Sequence, residues 1–151
     1  MDFPSIDIIK NKTMKTYNLF LDDIRHPYDC ISYMPSPGIY SKWEWKTVRN
    51  YDEFVSFITE NGLPDIISFD HDLADEHYNP DMYSGQEIYN KHYAEFKEKT
   101  GMDCAKWLVD YCIDNKQELP DYVVHSMNPA GGENIKSLLD QFKEFQHKNQ
   151  N

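Results

Sequence analysis

The stretch Asp65-Ile66-Ile67-Ser68-Phe69-Asp70-His71-Asp72-Leu73 limits what this chain can fold into more than any other. Its apolar run is too short for a helix, has Pro64 in front, and ends abruptly in acid, imidazole, acid. An apolar run without alternation fits a strand covered on both faces, as in a parallel sheet. Open parallel sheets bind ligands where strands release the chain at their carboxyl ends, so Asp70, His71 and Asp72 belong at such a rim. Tyr17 to Leu21 repeats the pattern and runs straight into Asp22-Asp23-Ile24-Arg25. A later strand, Tyr122-Val123-Val124, ends in His125-Ser126-Met127-Asn128.

Between these strands the punctuation is clear. His26 to Lys46 holds Pro27, Pro35, Pro37 and Gly38 and reads as a long irregular loop. Thr47-Val48-Arg49 is a short strand, and Asn50 with Glu53 resembles a capping box. The helix that follows carries Phe54, Phe57 and Ile58 on one face and stops at Asn61-Gly62. Residues 74–99 form a second insertion, rich in Tyr, His and acids, with a short helix over Gln86 to Lys97. Thr100 and Asp103 open another helix, whose apolar stripe is Met102, Ala105, Leu108, Val109 and Cys112. Gly131-Gly132 precede a final helix with Ile135, Leu138, Leu139, Phe142 and Phe145 inward. Residues 1–16 read as an N-terminal arm, and the polar tail 147–151 is expected to fray.

This order predicts one α/β domain over 1–151: a three-layer sandwich with a mostly parallel sheet, right-handed crossovers and two long strand-end loop insertions, 26–46 and 74–99. Both insertions leave from the same rim and read as walls or lids of a pocket. Apolar residues make up 40% of the chain and aromatics 15%, which suits a globular core. The formal charge of -11 argues against a broad nucleic-acid surface or anionic-membrane binding, though a small basic pocket stays open. No apolar run is long enough to span a membrane. Cys30, Cys104 and Cys112 are an odd count without metal-finger spacing, Cys104 and Cys112 read as reduced core thiols of one helix, and a cytoplasmic location is the default expectation.

The rim collects residues with chemistry. Asp22, Asp23, Asp70 and Asp72 together would hold a hard divalent ion such as magnesium or manganese, or some of them cap the turns that follow. His125 and His71 are candidates for acid and base across a phosphodiester, with structural hydrogen bonding as the alternative. Ser126, Asn128, Gly131, Gly132 and Asn134 are candidates to hold an anion ahead of the last helix; an ordinary capped turn is the plainer reading. Arg25 is either a bidentate phosphate ligand or the partner of Asp22 or Asp70 in an internal salt bridge. Trp43, Trp45 and Tyr83 either stack a base or pin their loops.

The layout resembles the receiver domain of response regulators. Asp22-Asp23 stands where receivers carry a metal-binding acidic pair, Asp70 where they carry the phosphoacceptor, and Ser126 near their small hydroxyl residue. After Ser126 the chain offers no fifth strand and no strand-end lysine. The ordered strings Leu-Asp-Asp-Ile-Arg, Phe-Asp-His-Asp-Leu, Thr-Gly-Met-Asp and His-Ser-Met-Asn-Pro-x-Gly-x-x-Asn resemble the cyclic-phosphate-processing receiver-like family over residues 17–140. That resemblance implies action on cyclic-phosphate nucleotides or related RNA ends. The expectation is thus a metal-assisted phosphoesterase with Asp70, His125 and His71 in catalysis and a small phosphate ester or nucleotide as partner. A non-catalytic nucleotide or phosphate sensor and an acidic protein that inhibits a basic partner are the alternatives.

Overall fold

A computed structural model of the protein describes residues 16–74 and 99–149. The expected N-terminal arm (apart from Thr16), the helix over Gln86 to Lys97, Tyr83 and all but the ends of the 74–99 insertion lie outside the described residues. Four strands, β1 (Asn18–Leu21), β2 (Lys46–Val48), β3 (Ile66–Phe69) and β4 (Asp121–Val124), form one sheet in the order β2-β1-β3-β4. Every neighbouring pair is parallel. The architecture is the receiver-like, flavodoxin-like α/β arrangement that the sequence predicts. Among the described residues no strand follows β4, whose free edge is only partly buried.

Among the described residues four helices accompany the sheet: α1 (Gly38–Lys42), α2 (Tyr51–Asn61), α3 (Gly101–Asn115) and α4 (Pro129–Lys148). Alternation along the inner strands decides what meets what. Leu19, Leu21, Ile67 and Phe69 face one side and pack with Phe54 and Ile58 of α2, Cys104 and Leu108 of α3, and Ile135 and Leu139 of α4. Phe20 faces the other side, where Cys30 and Tyr40 cover it. So the 26–46 stretch is not simply an irregular wall at the rim. It holds a 3-10 turn (Pro27–Cys30) and α1, and it forms the sheet's third layer. Cys30, Cys104 and Cys112 are all unpaired and buried. No helix among the described residues is long and apolar enough to cross a membrane.

The helix starts are set locally. Asn50 caps α2 by accepting from the backbone N–H of Glu53, and Gly62 closes it at φ +84°. Thr100 and Asp103 form the reciprocal box at α3. Asn128 caps α4, and Pro129 takes the first helical position, where a missing N–H removes nothing. Gly131 and Gly132 therefore lie inside the first turn of α4 and not ahead of it. The same helix runs to Lys148, past the point where fraying was expected to begin.

Candidate functional site

Register brings the strand-end groups together. Leu21 pairs with Phe69, and Phe69 with Val124, so the next residues on three adjacent strands are Asp22, Asp70 and His125. The ladder continues through them: Asp70 N–H donates to Leu21 O at 3.0 Å and His125 N–H to Phe69 O at 2.9 Å. This is the point where the chain leaves β1 toward one edge and β3 toward the other, the place an open α/β sheet offers a crevice. The three side chains fall on the face covered by the 26–45 segment and are almost wholly buried.

Asp22 is saturated. Its Oδ1 accepts from the backbone N–H groups of Ile24 (3.0 Å) and Arg25 (2.7 Å). Its Oδ2 meets Arg25 Nη1 at 3.2 Å and His125 Nε2 at 2.9 Å. Burial alone would raise its pKa, but the His125 and backbone hydrogen bonds outweigh it and hold the carboxyl down to about 2. Asp70 differs. Its Oδ1 accepts the N–H of His71 at 2.9 Å, while Oδ2 is buried without a hydrogen-bond partner among the described residues, 3.9 Å from Arg25 Nη1. Burial, and then the Asp22 charge, push its pKa well above the usual carboxylate range.

His125 is fully buried, with Nδ1 2.7 Å from Ser68 Oγ and Nε2 on Asp22. Ser68 Oγ in turn lies 2.7 Å from the Tyr40 hydroxyl. Phe20 stacks on the imidazole at 4.5 Å, and Tyr33 OH donates to its backbone carbonyl. Burial lowers the His125 pKa, although Asp22 opposes the shift.

A second imidazole lies on the other side of Asp70. His71 Nδ1 is 3.0 Å from Asp72 Oδ1, and Asn128 Nδ2 donates to both Asp72 oxygens at 3.3–3.4 Å. Asn128 Oδ1 accepts the N–H of Gly131 at 3.0 Å, and Ser126 Oγ accepts the N–H of Asn128 at 3.0 Å. The anion-facing N–H groups expected of this segment are thus engaged: Gly131 by the Asn128 side chain and Gly132 by its carbonyl. Glycine is needed at 131 for another reason, since a Cβ there would lie 2.4 Å from His71 Cγ. Asn134 sits half-buried in the next turn of α4.

Asp22, Asp70 and His125 each offer a ligand atom, all within 4.8 Å of one another. Asp23, half-buried, and Asp72 are outside that trio. The orphaned Asp70 oxygen beside the ionised Asp22 is the donor set a hard cation takes, so the residues fit one. Of the two alternatives for Arg25 the internal salt bridge is present: Nη1 pairs with Asp22 and lies 3.9 Å from Asp70. Trp45 packs on Phe20 and Tyr40 and donates to Ile39 O at 3.0 Å, so it pins its segment; Trp43 is partly exposed.

Three residues of the site escaped the sequence reading. Ser68 and Tyr40 reach His125 from beneath. Arg49, at the end of β2, donates through Nη1 to the carbonyls of Asp22 (2.9 Å) and Arg25 (2.7 Å) and so fixes the turn after β1. Ser68 carried a signal, a lone hydroxyl inside an apolar strand.

Compared with known families, residues 17–141 match the sequence model of the family described as "Cyclic-phosphate processing Receiver domain". No curated protein and no solved structure matches the chain.

Proposed function

The chain belongs to the cyclic-phosphate processing receiver domain family, and from that premise we propose that the Asp22–Asp70 site binds a cyclic phosphate or nucleotide-type phosphate ester and hydrolyses it. One observation carries the reading: Asp70 Oδ2 is buried and has no hydrogen-bond partner among the described residues, at the carboxyl end of a central strand. A buried polar atom left unpaired is destabilising by about 1–3 kcal/mol, and at a strand end beside a second acid such an atom suits a catalytic role or a bound ion.

The roles follow from the contacts. Arg25, held by Asp22 on one corner, presents its remaining N–H donors to the phosphate oxygens. Opening a cyclic phosphate adds one water, with hydroxide going to phosphorus and a proton to the departing ester oxygen. Asp70, its pKa raised well above the usual carboxylate range by burial and by the Asp22 charge, can hold that proton and pass it to the departing oxygen. His125 has both ring nitrogens engaged, so it acts on the reaction through Asp22 and not by touching the ester. His71 braces Asp72 and the start of α4. With Asp70 ionised, Asp22 and Asp70 would instead hold a divalent ion, magnesium or manganese, which when bound would supply charge neutralisation at the phosphate; the proton-carrying role of Asp70 belongs to the ion-free site.

The test is a panel of 2′,3′-cyclic nucleotides, cyclic-phosphate RNA ends and ADP-ribose cyclic phosphate, followed by phosphorus NMR with and without magnesium or manganese. The expected result is replacement of the cyclic-phosphate resonance by that of a monoester in at least one sample. Tight binding with no change in the ligand would make the domain a sensor. Neither binding nor turnover would remove the reading.

A further inference from the structure

We propose that Ser68 and Tyr40 are positioning residues that lock the His125 ring with its Nε2–H directed at Asp22. The proposal rests on Asp22 and Asp70 forming the phosphate-ester site, and it adds what keeps that site's geometry fixed.

Ser68 is a polar residue in the middle of the apolar strand β3, and it is fully buried. A hydroxyl there is tolerated only if it is hydrogen-bonded. It meets two groups, Tyr40 OH and His125 Nδ1, each at 2.7 Å. Ionised Asp22 can only accept, so the contact at 2.9 Å requires the hydrogen on Nε2 of His125. A neutral imidazole then has a bare Nδ1, which must accept, and the donor facing it is the Ser68 hydroxyl. Ser68 Oγ keeps its lone pairs for the Tyr40 hydroxyl. The donors run in one direction, Tyr40 to Ser68 to His125 to Asp22, and every member is satisfied. The opposite tautomer would set the bare Nε2 lone pair against the Asp22 carboxylate. Phe20, stacked within 4° of the imidazole plane, removes the remaining tilt.

Tyr40 belongs to α1, in the layer on the far side of the sheet from α2 and α3. The 26–45 segment therefore supports the site from underneath: through two hydroxyls and one ring it orients a carboxylate at the rim. Ser68 and Tyr40 touch no reacting atom in this account, and their effect passes through His125.

The experiment is nitrogen-15 NMR of the His125 ring in the full chain. The wild type is compared with Ser68→Ala, Ser68→Thr and Tyr40→Phe, alongside calorimetric affinity and single-turnover rate on a 2′,3′-cyclic nucleotide. The wild type should show one tautomer, with Nδ1 bare and Nε2 protonated. Ser68→Ala should give mixed tautomers and lower the single-turnover rate by about tenfold or more, with affinity changed by less than about threefold. Ser68→Thr, which keeps the hydroxyl, should restore the wild-type signature. Tyr40→Phe should keep the tautomer and lose less rate. A wild type with Nδ1 protonated, or Ser68→Ala with an unchanged ring spectrum, would overturn the proposal. The ring spectrum needs no ligand, so it judges the lock even if the wild type turns nothing over; absent turnover counts against the phosphate-ester reading alone.

Discussion

Asp22 and Asp70 end neighbouring strands in the same way, an apolar run followed at once by an acid, yet they sit in opposite surroundings. Asp22 accepts from two backbone N–H groups, a guanidinium and an imidazole, whereas Asp70 accepts one N–H and keeps its other oxygen bare. The first is held ionised and the second is pushed toward its neutral form. Two carboxyls with separated pKa values a strand apart are the arrangement in which one can serve as a fixed charge and the other as a proton carrier. The end of β1 is built for stability, and the end of β3 gives some up.

That contrast can be broken most decisively by removing each acid in turn. Asp22→Ala leaves Arg25, His125 and two N–H groups without their acceptor and should destabilise the fold by about 3–5 kcal/mol in urea denaturation. Asp70→Asn should do the opposite, raising stability by about 1 kcal/mol while lowering turnover by about 10²–10⁴. Effects of the same sign on stability would mean that the two acids are equivalent.

A somewhat smaller effect is expected where backbone crowds the Asp70 end. A Cβ on Gly101 would lie 1.9 Å from Asp70 O, in rigid backbone at the start of α3. Gly101→Ala should therefore be destabilising by about 1–3 kcal/mol and displace Asp70, read by thermal melting and by loss of turnover. If it melts and turns over like the wild type, the docking of α3 onto the end of β3 does not hold Asp70 in place.

Acidity sharpens the contrast further. The Asp22 stabilisation is fully present above its unfolded pKa of about 3.9 and is lost as pH falls toward its folded value of about 2. For Asp70 the sign is reversed. The unfolded chain ionises near pH 3.9 while the folded carboxyl resists, so folding is increasingly disfavoured as pH rises from about 4 to the folded pKa. The stability difference between Asp70→Asn and wild type should thus be near its smallest below about pH 4 and grow upward from there. A difference that is flat with pH would contradict the raised pKa.

The smallest expected effect is at Arg49, whose guanidinium fixes the turn after β1. Arg49→Lys should reduce stability by about 1 kcal/mol and speed amide exchange at Ile24 and Arg25 without altering exchange at His71.

The strand ends were legible because a short apolar run and a sudden acid are both local signals, and parallel register then places Asp22, Asp70 and His125 side by side. The start of α4 was also written locally, in Asn128-Pro129, but the glycine pair drew attention one turn too late. What stayed hidden is non-local. Tyr40 and Ser68 are 28 residues apart, and Ser68 and His125 are 57 apart, so no window of sequence contains the relay. α1 has only five residues, too few for a periodic stripe to show, so the sequence predicts the three-layer sandwich without the segment that builds its third layer. The need for glycine at 131 depends on the His71 ring arriving from another strand.

The central claim is that Asp22 is the fixed charge and Asp70 the proton carrier. Carbon-13 NMR of the side-chain carboxyls, followed against pH in the full chain, tests it directly. Asp22 should remain ionised down to about pH 2, and Asp70 should titrate well above the ordinary aspartate range. Both carboxyls titrating together near pH 4, or in the reverse order, would contradict the account.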